Sequence, residues 1–164
     1  MTETILKMQK KVKRYLDKDR YDHTIGVMHT AGCLAMRYGA NLEQALTAGL
    51  LHDCAKCVPA DEKIKLCEKN HIEISDAEYK NPGLLHAKLG AFFAQKKYGI
   101  ENEEILRSIE SHTTGRPNMS LLDKIIYIAD YIEPGRDVAP NLPEVRALAF
   151  VDIDACLYRI LEDT

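Results

Sequence analysis

Six residues of metal-ligating type follow one another along the chain: His23, the doublet His52-Asp53, His86, His112 and Asp130. Imidazole nitrogens with carboxylate oxygens form a donor set for a hard-to-borderline divalent ion, and such ions activate water for hydrolysis. Lys56 lies just beyond the doublet, where its ammonium offers a point charge to a phosphate oxygen. A metal-dependent hydrolase is the chemistry these types and this order point to.

Adjacent helical residues differ by about 100° around the axis. His52 and Asp53 can therefore reach one ion if they sit near a helix end. A carboxylate has two oxygens to share, so Asp53 can also bridge two ions or orient a water. If the helix persists to Lys56, that residue shares a face with both. Arg20, three residues before His23, falls on the same face or at the mouth of that helix. Asp123 is two helical turns before Asp130, as an outer contact of the site or as a helix N-terminal acid. Thr113, Arg116 and Arg136 suit phosphate contacts or solvated loops alike, whereas His29 and His71 read as surface residues.

The elements that must carry these groups are helical throughout. Ile5, Met8, Val12, Tyr15 and Leu16 recur at helical spacing with lysines between them. A second helix is expected over about 20–38, stopped by Gly39. Asn41 and Gln44 form a capping pair for a third, which Pro59 limits. Charged short helices are expected over 61–80, and Asn81-Pro82-Gly83 is a break. Further helices are expected over about 84–98 and 102–111. A loop covers 113–118, and a helix with a Ser120/Asp123 capping box then runs to Ile132. Pro143 suits the first turn of one last helix reaching the C-terminus. No alternating strand pattern and no repeat occurs, so the expectation is a single all-α domain over 1–164 with its core at about 20–154.

A net charge of −3 excludes a broad electrostatic grip on nucleic acid. No apolar run is long enough to span a bilayer, and the N-terminus lacks a signal-peptide core, so the expected compartment is the cytoplasm. The odd count of five cysteines fits free thiols in a reducing compartment. Cys54-Ala55-Lys56-Cys57 spells C-x-x-C, but no second pair completes a four-thiolate zinc site. Packing thiols are the expectation, beside the proposed metal.

The ordered set resembles the HD superfamily of metal-dependent phosphohydrolases. The likeness is nearer still to small bacterial proteins of the YqeK type, which hydrolyse diadenosine tetraphosphate symmetrically. Arg20-Tyr21-Asp22-His23-Thr24, His52-Asp53-Cys54-Ala55-Lys56 and His112-Thr113-Thr114-Gly115 carry the likeness. So does Asp123-Lys124-Ile125-Ile126-Tyr127-Ile128-Ala129-Asp130-Tyr131-Ile132-Glu133-Pro134-Gly135-Arg136. The resemblance implies an HD-domain helical bundle with His23, His52, Asp53 and Asp130 as core metal ligands. It implies His86 and His112 at a second metal or a phosphate, and Lys56, Thr113 and Arg136 as phosphate contacts. Asp53, Lys56, His86 and His112 become the catalytic set; the implied metal is iron, with manganese as the other choice.

The implied reaction is attack of a metal-bound hydroxide on the polyphosphate bridge, yielding two ADP. Competing readings are a nucleotidase, a deoxynucleotide triphosphohydrolase, and a metal- and nucleotide-binding sensor without turnover. The resemblance further raises the expectation that the chain's end at Thr164 shortens one wall of the nucleotide site.

Overall fold

The structure, a computed structural model, describes residues 1–164. Ten α-helices and one 3₁₀ turn account for its regular structure: α1 (Glu3–Val12), α2 (Lys18–Tyr38), α3 (Leu42–Leu51), α4 (Ala60–Lys69), α5 (Asp76–Lys80), the turn Pro82–Leu84, α6 (Leu85–Tyr98), α7 (Glu103–Ser111), α8 (Leu121–Ile132), α9 (Leu142–Ala149) and α10 (Ile153–Asp163). It is a single all-α domain.

Local chemistry sets most of the helix ends. Asp17, Asn41, Asn102 and Ser120 each accept a hydrogen bond from a backbone N–H in the first turn of the following helix. Ser120 and Asp123 form the reciprocal capping box. Gly39 and Gly99 close α2 and α6 at φ 70°, a left-handed conformation that costs glycine nothing.

Two expectations are corrected. The C-terminal segment is two helices, because Asp152 caps a new start by accepting from the N–H groups of Asp154 and Ala155. In addition, α3 stops at Leu51, and residues 52–57 continue as turns with shorter-range bonds such as Lys56 N–H to Asp53 C=O at 2.9 Å. Lys56 is thus not brought beside the doublet by a persisting helix.

At the centre α2 packs on α3 and α8, while α7 packs on α3, α6 and α8. Helices α9 and α10 cover α8, α4 leans on α6, and α1 on α3. The α2–α3 crossing is close because Gly49 faces the α2 backbone. A Cβ there would lie 2.9 Å from Met28 Cα and 3.2 Å from Met28 N. Backbone cannot move aside as a flexible side chain can, so Gly49→Ala must separate the two helices that carry His23 and His52. The expected cost is about 1–3 kcal/mol, the usual range for overpacking. It should appear as a lower denaturant midpoint with an unchanged slope.

Candidate metal centre

The six ligand-type residues converge where α2, α3, α6, α7 and α8 meet. His23 comes from the second turn of α2 and Asp130 from the last turn of α8. His52 and His112 are the residues on which α3 and α7 end, Asp53 follows directly, and His86 is in the first turn of α6. His52, Asp53, His86 and His112 are all buried.

Three of the histidines are oriented by one local device. Nδ1 of His52 meets Gly49 C=O at 2.7 Å, that of His86 meets Gly83 C=O at 2.6 Å, and that of His112 meets Ile109 C=O at 2.7 Å. Each acceptor is the carbonyl three residues back. For His52 and His112 it is one of the last-turn carbonyls that a helix end leaves without an intrahelical partner. A carbonyl only accepts, so Nδ1 carries the proton and the neutral ring turns its Nε2 lone pair to the centre.

Asp53 sits among these lone pairs. Its Oδ1 is 3.2 Å from His86 Nε2 and 3.4 Å from His112 Nε2. Its Oδ2 is 3.5 Å from His52 Nε2 and 2.9 Å from the Arg20 guanidinium. Asp130 Oδ1 is 3.0 Å from His23 Nε2, 3.9 Å from His52 Nε2 and 2.9 Å from the Arg136 guanidinium. His86 and His112 approach Nε2 to Nε2 at 3.1 Å, with Thr113 Oγ1 within 3.2 Å of both. Lys56 Nζ lies 3.3 Å from His86 Nε2, reaching the site from its turn. His23, His52, Asp53, Lys56, His86, His112, Thr113, Asp130 and Arg136 are therefore brought together.

Burial and mutual charge set the protonation states. Burial drives the His52 pKa down to about 4, so that ring is neutral near pH 7. Burial likewise lowers His86, outweighing the upward pull of Asp53. At His112 burial also acts downward, but the hydrogen bond and charge of Asp53 outweigh it and the pKa is raised. For Asp53 burial acts upward, yet His52, His86 and His112 hold it well below the ordinary carboxylate range. Asp130 is lowered too, its burial outweighed by His23, His52 and His112.

The donor chemistry fits a divalent cation. His23, His52 and Asp130 offer ligand atoms within 4.8 Å of one another, and His52, Asp53 and His112 do the same. His23 Nε2, His52 Nε2 and Asp53 Oδ1 are buried without a well-directed hydrogen bond, a costly condition that a shared cation relieves. Neither group contains a cysteine. Cys54 is buried, its thiol pushed up to about 12 by that burial, as expected of a packing residue.

Some nearby residues lie outside this cluster. Asp123 is held by Ser120 and pairs with Arg116 at 2.6 Å, so both serve the start of α8. His29 is exposed and His71 lies in a turn. Two contributors had not been singled out from the sequence. Lys63 is a buried lysine whose ammonium donates to Lys56 C=O at 3.1 Å, tying α4 to the turn after the doublet. Glu133 is a buried carboxylate 3.0 Å from His23 Nδ1. A lysine in a charged helix gives no sequence signal of burial. The signal for Glu133 was its place three residues after Asp130, in the stretch that carries the family likeness. A cleft of about 730 Å³ opens beside the cluster, lined by Asp17, Arg20, His23, Tyr131, Glu133 and Arg136 among others.

Residues 20–135 match the HD domain family. The chain is 42% identical over 153 residues to the symmetrical bis(5'-nucleosyl)-tetraphosphatase of Bacillus subtilis, covering 93% of this chain and 81% of that protein. It is 44% identical to the protein of the same name from Halalkalibacterium halodurans, over the same shares of the two chains. A crystal structure from Clostridium acetobutylicum, described as a predicted HD superfamily hydrolase involved in NAD metabolism, superposes with a TM-score of 0.91 at 45% identity. The match covers 95% of this chain and 82% of that one. The chain belongs to the HD-domain hydrolases and, within them, to the family of symmetrical bis(5'-nucleosyl)-tetraphosphatases. Divalent-metal dependence comes with the HD domain. No helix is long and apolar enough to cross a membrane.

Proposed function

We propose that this protein is a metal-dependent phosphohydrolase that cleaves diadenosine tetraphosphate symmetrically into two ADP. The observation that carries the chemistry is the pair of donor groups sharing His52, set in a chain closely similar to enzymes named for this cleavage. His23, His52 and Asp130 would hold one divalent cation, and Asp53 with His112 and His86 would extend the site toward a second. Two histidines with one carboxylate suit ferrous iron, which we take as the metal, with manganese as the other choice.

Such a cation, when bound, supplies Lewis acidity to a phosphoryl oxygen and lowers the pKa of water. The remaining work falls to side chains. Asp53 turns one oxygen to each half of the site, the geometry of a group that orients an attacking water or takes its proton. Lys56, beside His86, and Arg136, beside Asp130, present cations to the polyphosphate bridge. Where His86 or His112 is not engaged by a cation, its Nε2 and Thr113 Oγ1 form a close group able to hydrogen-bond the departing phosphate. The cleft beside His23, Tyr131 and Arg136 is sized for a nucleoside arm of the substrate. Five free cysteines, three of them buried, support a reducing, cytoplasmic setting.

Chromatography of the products from diadenosine tetraphosphate tests the assignment. ADP as sole product, lost on chelation and restored by iron or manganese, is the expected result. Formation of ATP with AMP would move the cleavage site off the centre of the bridge and overturn the symmetrical reaction.

A further inference from the structure

We infer that Glu133 is a positioning residue for the metal centre: its carboxylate keeps the His23 proton on Nδ1 and so aims the Nε2 lone pair at the cation. The inference rests on the reading of this cluster as metal-binding.

The need for such a residue follows from where His23 sits. His52, His86 and His112 each take a carbonyl three residues back as the Nδ1 partner. His23 lies inside α2 (Lys18–Tyr38), where the preceding carbonyls are engaged in the helix's own hydrogen bonds. Its partner must come from another element. Glu133, directly after α8, supplies it, with Oε1 at 3.0 Å from His23 Nδ1.

Glu133 is built for this contact. Its side chain is 4% exposed, and His23 is its one ionisable partner at salt-bridge distance. A carboxylate buried so deeply is costly unless its oxygens are hydrogen-bonded. Oε2 accepts from Gly135 N–H at 2.6 Å, leaving Oε1 for the histidine. The main chain is fixed as well: Glu133 C=O accepts from Arg146 at 2.8 Å and from Arg136 N–H at 3.0 Å. Helix α2 makes room at Gly26, one turn beyond His23, where a Cβ would overlap Glu133 Oε2. Segment 130–136 thus supplies a ligand-type carboxylate, the partner of a ligand-type histidine and the Arg136 cation.

Charge, not only shape, is required. In Glu133→Gln one orientation faces the amide NH₂ toward Gly135 N–H, donor against donor. The other faces it toward His23 Nδ1, which then must accept and shift its proton to Nε2, where the cation would bind.

The test is calorimetric titration of the metal-free protein with Mn²⁺. Glu133→Gln should weaken Mn²⁺ binding about 10- to 100-fold, the usual cost of losing an orienting group behind a ligand. Turnover should recover substantially at saturating Mn²⁺. In the His23→Ala background the same substitution should add little further loss, since the two residues act as one unit. Gly26→Ala displaces the carboxylate without removing it and should weaken binding in the same direction; it decides the matter if Glu133→Gln does not fold. Mn²⁺ affinity unchanged within twofold, or losses that add fully with His23→Ala, would overturn the role of Glu133 and leave the metal centre standing. A native protein that binds no Mn²⁺ or Fe²⁺ would overturn the metal reading, and this inference with it.

Discussion

Asp53→Ala should abolish retention of metal and reduce hydrolysis of diadenosine tetraphosphate by about 10³-fold or more. The effect is large because the carboxylate meets so many partners: His52, His86, His112 and Arg20 all lie within 3.5 Å of it. Removing it takes away a proposed cation ligand and an anion buried among three imidazoles. Loss of about 4 kcal/mol of transition-state stabilisation, in the range of a metal's electrostatic contribution, corresponds to roughly a thousandfold in rate. Asp53→Asn separates charge from volume: it keeps the shape and one acceptor oxygen but cannot balance the cation or take a proton. Both variants should lose metal together with activity, measured by elemental analysis alongside turnover. Full metal content and full activity in Asp53→Ala would remove Asp53 from the site.

Stripping the metal with a chelator should abolish turnover and also lower the thermal midpoint. The second effect follows from the unpartnered atoms. His23 Nε2, His52 Nε2 and Asp53 Oδ1 are buried without well-directed hydrogen bonds, and the Nε2 atoms of His86 and His112 lie 3.1 Å apart. A cation that binds only the folded state stabilises it by about 2.7 kcal/mol at a hundredfold excess over its Kd. For a domain of this size that is a shift of roughly 5–10 °C. Scanning calorimetry of the stripped protein, then of the same sample with iron or manganese restored, should show the midpoint fall and recover. A midpoint indifferent to metal, in protein whose activity responds to it, would place the cation outside the buried cluster.

The candidate ligand set was legible because its chemistry is written in residue types. Four histidines and two carboxylates in one order along helices of ordinary length needed no spatial information to suggest a metal site, and the doublet falls within residues 20–135, which match the HD domain family. Helix ends were legible for a related reason. Asn41, Asn102, Ser120 and the glycines at 39 and 99 act through bonds or conformations local to a few residues. Asp152 acts in the same local way and splits the last segment into α9 and α10, but Pro143 had drawn the reading to a single start.

What the sequence could not disclose are contacts made between elements far apart in the chain. Lys56 would share a helix face with the doublet only if that helix persisted; instead α3 ends at Leu51, and a turn tied down by Lys63 delivers the Lys56 ammonium to His86. Arg20 could be assigned to the face of His23, but its pairing with Asp53 depends on how α2 crosses α3, which Gly49 sets against the α2 backbone. Glu133 was not singled out from the sequence, where it stands three residues past Asp130. That its carboxylate is buried against His23, 110 residues earlier, is decided by the packing of α8 on α2. The types of the reacting groups and the caps of their helices are properties of short stretches, fixed by composition and local hydrogen bonding. The distances among the groups, and the protonation that burial imposes, belong to the packed core, where several helices must close on one another at once.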